Sequence, residues 1–191
     1  MTARTVGVIV GSASTDSLNR RFANALEKLA PSAGLKFVDI SITQLPFFGT
    51  QHEENFPPEG LAYKAALNAV DGLLIVTPEY NRSIPGVLKN AIDWATRPVG
   101  ESVFPDLPVA VTGASNGVIS TAVAQNHLKA ILTSQGAAVV GRPEAYLRVT
   151  DDTFAADGAF ADEKAVQFML GFLQALRAQI DRFRPAAVDA A

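Results

Sequence analysis

The stretch LLIVTPEYNRSIPGVLKNAIDW (73–94) decides the fold. Leu73 to Val76 run apolar without polar alternation, which is how a strand reads when helices cover both faces of a parallel sheet. Pro78 ends the run, Glu79-Tyr80-Asn81 are left exposed, and the chain re-enters a helix near Ser83 with Pro85 in its first turn. Val87, Leu88, Ala91, Ile92 and Ala95 then form one helical stripe. The same grammar recurs outward from this unit. Thr5 to Val10, Leu35 to Ile40, Val109 to Thr112 and Ala138 to Val140 are further apolar runs. Leu18, Phe22, Leu26 and Leu29 form a stripe stopped by Pro31 and Gly34, and Leu61, Ala65, Ala66 and Val70 form a short one. Leu128, Ile131 and Leu132 follow the fourth run, and Val166 to Ile180 close the chain. The order βαβαβαβαβα predicts a doubly wound α/β sheet with right-handed crossovers.

Composition bounds the function. The chain has 191 residues, 48% hydrophobic and 18% charged, enough apolar surface for one core. A single domain is expected over 1–184, with a flexible tail at 185–191. Mean hydropathy is +0.17, but no apolar run reaches the roughly 20 residues that span a bilayer. A net charge of -3 offers no basic field for nucleic acid. The absence of cysteine excludes a thiolate nucleophile, a disulfide scaffold and a zinc-thiolate site. A cytoplasmic protein without a membrane span is expected. The segment LPFFGTQHEENFPPEG (45–60) is too long for a plain connection and follows the second strand, at the ligand-binding end of such sheets. Asp157-Gly158 reads as a turn before the last helix.

Three strand-to-helix junctions carry the candidate chemistry. In GSASTDSLN (11–19), Gly11 leads into the hydroxyls of Ser12, Ser14, Thr15 and Ser17 and the amide of Asn19, at a helix N-terminus that attracts anions. The loop matches neither the dinucleotide fingerprint nor a Walker A, and its hydroxyls suit a phosphate monoester. It also reads as a simple N-cap with solvated polar residues. The 77–94 junction offers backbone donors and the Tyr80 ring to a planar aromatic ligand; it also reads as a capped helix start. GASNG (113–117) matches the G-x-S-x-G nucleophile elbow. However, His127 is the only later histidine and no acid lies between it and Ser115, so a ligand-lining loop is the better account. His52-Glu53-Glu54 lacks metal-ligand spacing, and no metal site is expected.

Together these junctions resemble the NADPH-dependent FMN reductase family, the flavodoxin-like quinone, azo and chromate reductases. The resemblance rests on PEYNRSIPGVLKNAIDW (78–94), with Gly11-Ser12, Ser17-x-Asn19, LPFFG (45–49), Gln125-x-x-Leu128 and Arg142-Pro143-Glu144 in support. It implies a flavodoxin-like five-stranded parallel sheet of order 2-1-3-4-5 with helices on both faces. It implies FMN as cofactor, its phosphate surrounded by Ser12, Ser17, Leu18 and Asn19, with Gly11, Ser14 and Thr15 in the same loop. Pro78, Glu79, Tyr80 and Asn81 would lie along the isoalloxazine, and Ser115, Asn116 and Gly117 would form the third flavin loop. No catalytic side chain is required, because the flavin carries the hydride. NADPH or NADH would be co-substrate in ping-pong turnover, with a small-molecule acceptor: quinones, free flavin, azo compounds or metal oxyanions. A homodimer or homotetramer is implied. Where the family usually has Arg, often followed by Lys, this chain has Ser14-Thr15, which predicts weaker FMN retention; Arg20 or Arg21 is the expected compensation. Arg82 is the candidate for attracting the NADPH 2′-phosphate. The alternatives are a flavodoxin-like electron-carrier or flavin-binding module, and a family member that has lost FMN binding.

Overall fold

The central apolar runs become strands because only a position between two helical layers covers both of their faces, whereas the run beginning at Leu35 forms an edge strand that is largely exposed beyond Leu35. The computed structural model describes residues 2–185, so the expected tail lies outside the described residues except for Pro185. The strands are β1 (Arg4–Val10), β2 (Leu35–Asp39), β3 (Gly72–Val76), β4 (Pro108–Ser115), β5 (Ala138–Val139) and β6 (Ala145–Arg148). The helices are α1 (Leu18–Leu29), α2 (Pro58–Asn68), α3 (Gly86–Ala95), α4 (Ala122–Ser134) and α5 (Glu163–Phe183). All pairings are parallel, in the order β2-β1-β3-β4-β5 with β6 also on β4. This is the flavodoxin-like order that the family resemblance implies, with one strand added.

Alternate strand residues feed two cores. Val6, Val8, Val10, Leu74, Val76 and Ala110 face α1 and α5, where they meet Phe22, Leu26, Phe172 and Leu176. Ile9, Leu73, Ile75, Val109 and Val111 face the layer of α2, α3 and α4, meeting Leu67, Leu88, Trp94 and Leu128. α1 stops where Pro31 and the left-handed Gly34 (φ 68) convert its end into a 3-10 turn.

Two local departures from the sequence reading have plain causes. The sheet has a sixth strand, because the fifth run is interrupted at Gly141-Arg142-Pro143 and resumes at Ala145. β4 is long enough for both pieces: Pro108 aligns with Ala138 and Thr112 with Ala145. α3 begins at Gly86, with Pro85 as its N-cap rather than inside its first turn. The preceding residues are instead used in a tight hairpin. Asp157-Gly158 forms the expected turn, with Gly158 at φ 81.

The long segment after β2 is held by α3. Trp94 is fully buried and donates from Nε1 to the Pro46 carbonyl at 2.7 Å. Asn90 donates to the same carbonyl at 2.9 Å and accepts from the Phe48 amide at 2.8 Å. Phe48 and Phe56 meet the indole edge-on at centroid distances of 5.1 and 4.9 Å, and His52 packs beside it. His52 is thus an aromatic packing residue. LPFFG and LKNAIDW therefore belong to one packing unit.

Candidate active site

The three loops selected from the sequence meet at the carboxyl ends of β1, β3 and β4, where strand ends open a crevice in such sheets. The first begins at Gly11, whose amide donates to the Val76 carbonyl at 2.9 Å. A Cβ there would sit 2.9 Å from the Leu88 side chain and 3.0 Å from that of Thr77, so any larger residue would have to push both aside for the loop to leave β1 here. Ser17 is the N-cap of α1, its Oγ accepting from the Arg20 amide at 3.2 Å. Leu18 and Asn19 are the first two helical residues, so helix geometry leaves their amides without a carbonyl behind them. Ser12, Ser14, Thr15 and Ser17, just ahead of these amides in the chain, border a hollow of about 210 Å³. Leu18 contributes its backbone only, since its side chain packs against the core.

The Asn19 side chain is engaged within the protein. Its carboxamide is buried, donating to the Ala114 carbonyl at 3.0 Å and accepting from the Ala114 amide at 2.9 Å. β3 pairs with β4 only as far as Thr112, so Ala114 faces that side with no strand opposite. Asn19 takes the place of the missing strand residue. Of the expected compensating cations, Arg20 borders the hollow but pairs with Asp39, and Arg21 lies over the Phe154 ring at 5.1 Å. Ser41 and Thr43, beyond β2, complete the wall; the sequence reading missed them. Their small hydroxyls after Ile40 were the available signal.

The second loop is a two-residue hairpin. The Tyr80 and Ser83 backbones exchange hydrogen bonds at 2.9 Å, and both central residues are left-handed, Asn81 at φ 50 and Arg82 at φ 65. This is a type I′ turn, which glycine fits and arginine does not. Pro78 rigidifies the entry, Tyr80 is exposed, and the Glu79 carboxylate turns back into the protein. Glu79 Oε2 accepts from the Val123 and Ala124 amides at 3.0 and 3.1 Å, capping α4, whose own N-cap Thr121 makes no side-chain capping bond because its hydroxyl accepts from Gln125 instead. Its Oε1 lies 3.2 Å from Arg82 Nη1. The acid therefore fastens the second loop to the helix that follows the third.

The third loop leaves β4 at Ser115, whose Oγ accepts from the Gly117 amide at 3.0 Å. Asn116 and Gly117 are exposed, and Ser120 (φ 50) ties the loop end to the Leu147 carbonyl at 2.7 Å. Beneath it, a Cβ on Gly113 would lie 2.0 Å from the Thr77 carbonyl oxygen. The hydrolase reading fails in space as well: His127 Nδ1 lies 3.2 Å from Ser83 Oγ, while Ser115 bonds its own loop. Glu79, Asn81, Arg82, Ser115 and Gly117 border an open cleft of about 490 Å³.

The donor set fits a flavin mononucleotide. The hydroxyl-lined hollow at a helix N-terminus suits a phosphate monoester, and the wider cleft between the hairpin at 80–83 and the loop at 115–120 suits a planar ring. The comparisons agree. Residues 4–151 match the family model described as NADPH-dependent FMN reductase. A 2-hydroxy-1,4-benzoquinone reductase from Burkholderia sp is 42% identical over 169 residues, covering 88% of this chain and 91% of that protein. A quinone reductase from Pseudomonas putida is 39% identical, covering 93% and 91%. The flavoenzyme NAD(P)H:(acceptor) oxidoreductase FerB from Paracoccus denitrificans superposes with a TM-score of 0.90 at 41% identity, covering 95% and 99%. On that match and these relatives, this chain belongs to the NADPH-dependent FMN reductase family.

Proposed function

We propose that this chain is a single-domain, FMN-dependent NAD(P)H oxidoreductase that reduces quinones. The observation carrying this reading is the pairing of a hydroxyl-lined hollow, whose one bordering cation Arg20 is paired with Asp39, with an open cleft on three loops of one family member. FMN, when bound, supplies the two-electron relay between NAD(P)H and acceptor. The residues proposed to hold it are those of the three loops. The Leu18 and Asn19 amides, with the hydroxyls of Ser12, Ser14, Thr15 and Ser17, receive the phosphate. The backbone of Pro78 to Asn81 and the Ser115-Asn116-Gly117 turn flank the ring. No side chain needs to act as acid or nucleophile. The protein binds, orients and gives access: the cleft is open, so NAD(P)H and acceptor enter in turn.

NAD(P)H gives up a hydride and becomes NAD(P)⁺. The quinone takes up that electron pair with two protons, one from solvent, to become the hydroquinone. The names of the relatives support quinones as the acceptor class. A homodimer or homotetramer and a cytoplasmic location, where NAD(P)H is supplied, complete the reading on family grounds. Among the described residues no helix is long and apolar enough to cross a membrane. The test is an absorption spectrum of freshly purified protein before and after NADPH, followed by quinone. Bleaching of a flavin spectrum by NADPH and its return with quinone is the expected result. A flavin spectrum that NADPH leaves unchanged would point to an electron carrier instead.

A further inference from the structure

Arg82 is an arginine where the backbone favours glycine, at φ 65, and it is the one cation among the described residues bordering the 490 Å³ cleft. Its side chain is 68% exposed, yet it is not free to wander. Glu79, only 8% exposed at the side chain and fixed by two α4 amides, holds one guanidinium nitrogen at 3.2 Å. The other guanidinium donors remain for a ligand, and part of the ordering cost is met before any ligand arrives. Beside it, Val118 is 81% and Ile119 48% exposed, so the cleft sets an apolar patch next to this one positive group, with Asn81, Ser115 and Ser120 as its neutral polar lining and the Glu79 carboxylate engaged by α4 and Arg82.

We propose that Arg82 makes this enzyme selective for electron acceptors that carry a negative charge on the ring, ionised hydroxyquinones above all. The proposal rests on the quinone-reductase reading. An ionised 2-hydroxyquinone is a vinylogous carboxylate, planar, with two adjacent oxygens that match a guanidinium fork. Taking up an electron pair adds negative charge to a ring already anionic, so a cation fixed at its edge favours the transition state over the bound ground state. Arg82 adjoins Asn81, one of the residues assigned to the flavin ring, and is therefore placed at the level of the reacting rings. The NADPH 2′-phosphate is separated from its nicotinamide by two riboses and a pyrophosphate, which disfavours that ligand for this arginine. The stoichiometry is that of quinone reduction: NAD(P)H and a solvent proton in, NAD(P)⁺ and the hydroxylated hydroquinone out.

The test uses the holoenzyme with 2-hydroxy-1,4-naphthoquinone and its neutral parent 1,4-naphthoquinone. In Arg82→Gln the ratio of kcat/KM for the hydroxylated over the parent acceptor falls about tenfold or more, and Arg82→Lys recovers part of it. Calorimetric binding of the hydroxylated quinone to the oxidised holoenzyme weakens by about the same factor in Arg82→Gln. In the wild type, added salt lowers kcat/KM for the hydroxylated acceptor and not for the parent, a result that needs no variant to fold. A ratio in Arg82→Gln within about twofold of wild type overturns the proposal. So does a change in NADPH over NADH preference with the quinone ratio unmoved, which gives the guanidinium to the 2′-phosphate. If the wild type is bleached by NADPH but reduces neither quinone, the underlying reading fails, and this assignment with it.

Discussion

Replacing Asn19 with leucine isolates what its carboxamide does. Leucine has the same forked side chain with bulkier tips, so Asn19→Leu removes two hydrogen bonds without opening a cavity that water can fill. The Ala114 amide and carbonyl then stay buried with no partner, because β3 no longer runs beside β4 at that level. Each orphaned buried group costs about 1–3 kcal/mol, so the loss is about 4 kcal/mol. For a chain of this length that corresponds to a fall in Tm of about 12 °C. The assay is urea and thermal unfolding of the apoprotein and of the FMN-loaded protein, beside FMN affinity measured by quenching of flavin fluorescence. Both forms are expected to lose the same stability, because the tie between α1 and β4 does not depend on a ligand. A loss below about 1 kcal/mol in the apoprotein, with FMN affinity sharply reduced, would refute this and return Asn19 to the role of phosphate ligand.

Four further outcomes follow from the geometry. Gly113→Ala drives a methyl into the Thr77 carbonyl, 2.0 Å from the ideal Cβ position, and is expected to cost more than about 3 kcal/mol in denaturant unfolding and to abolish FMN retention. Glu79→Ala strips the cap from α4 and is expected to lower stability by about 1–2 kcal/mol, read from the urea midpoint at unchanged slope. Ser14→Arg restores a cation to the phosphate hollow and is expected to tighten FMN binding about tenfold or more, measured by fluorescence titration of the apoprotein. Burial raises the Asp181 pKa, but hydrogen bonds from Arg177 and Arg4 outweigh it and hold the carboxyl below its usual 3.8. A lowered folded pKa stabilises above the unfolded value and is lost as pH falls through the folded one. Asp181→Asn is therefore expected to destabilise at neutral pH, by at most about 1 kcal/mol for a carboxylate 41% exposed, and to match wild type at strongly acid pH.

Much of the fold was legible because its determinants are local. A strand buried on both faces must be apolar along its length, and a helix covering it must repeat every three to four residues, so the alternation can be read without knowing what packs on what. The long signature at 78–94 also located the second loop and, through Asn90 and Trp94, the clamp on Pro46. Short or interrupted elements escaped. β5 is two residues long, and β6 is visible only once β4 is seen to extend past Thr112 with room for a neighbour.

The sequence by itself determined which loops lie at the ends of which strands, and that their chemistry is hydroxyls, amides and glycines rather than thiols or metal ligands. Only the tertiary structure decided what individual side chains do there. The Asn19 carboxamide looked like a phosphate donor and is a surrogate strand residue for Ala114, 95 positions away. The Glu79 carboxylate, to which the sequence assigned no partner, is the cap of a helix whose first turn lies 44 positions on. Arg20 and Arg21 looked like interchangeable substitutes for a missing cation, and one pairs with Asp39 while the other covers Phe154. Helical and strand periodicity act between residues a few positions apart. The satisfaction of a buried carboxamide or carboxylate depends on which distant backbone groups the fold leaves without partners, and that is fixed only when the sheet has assembled.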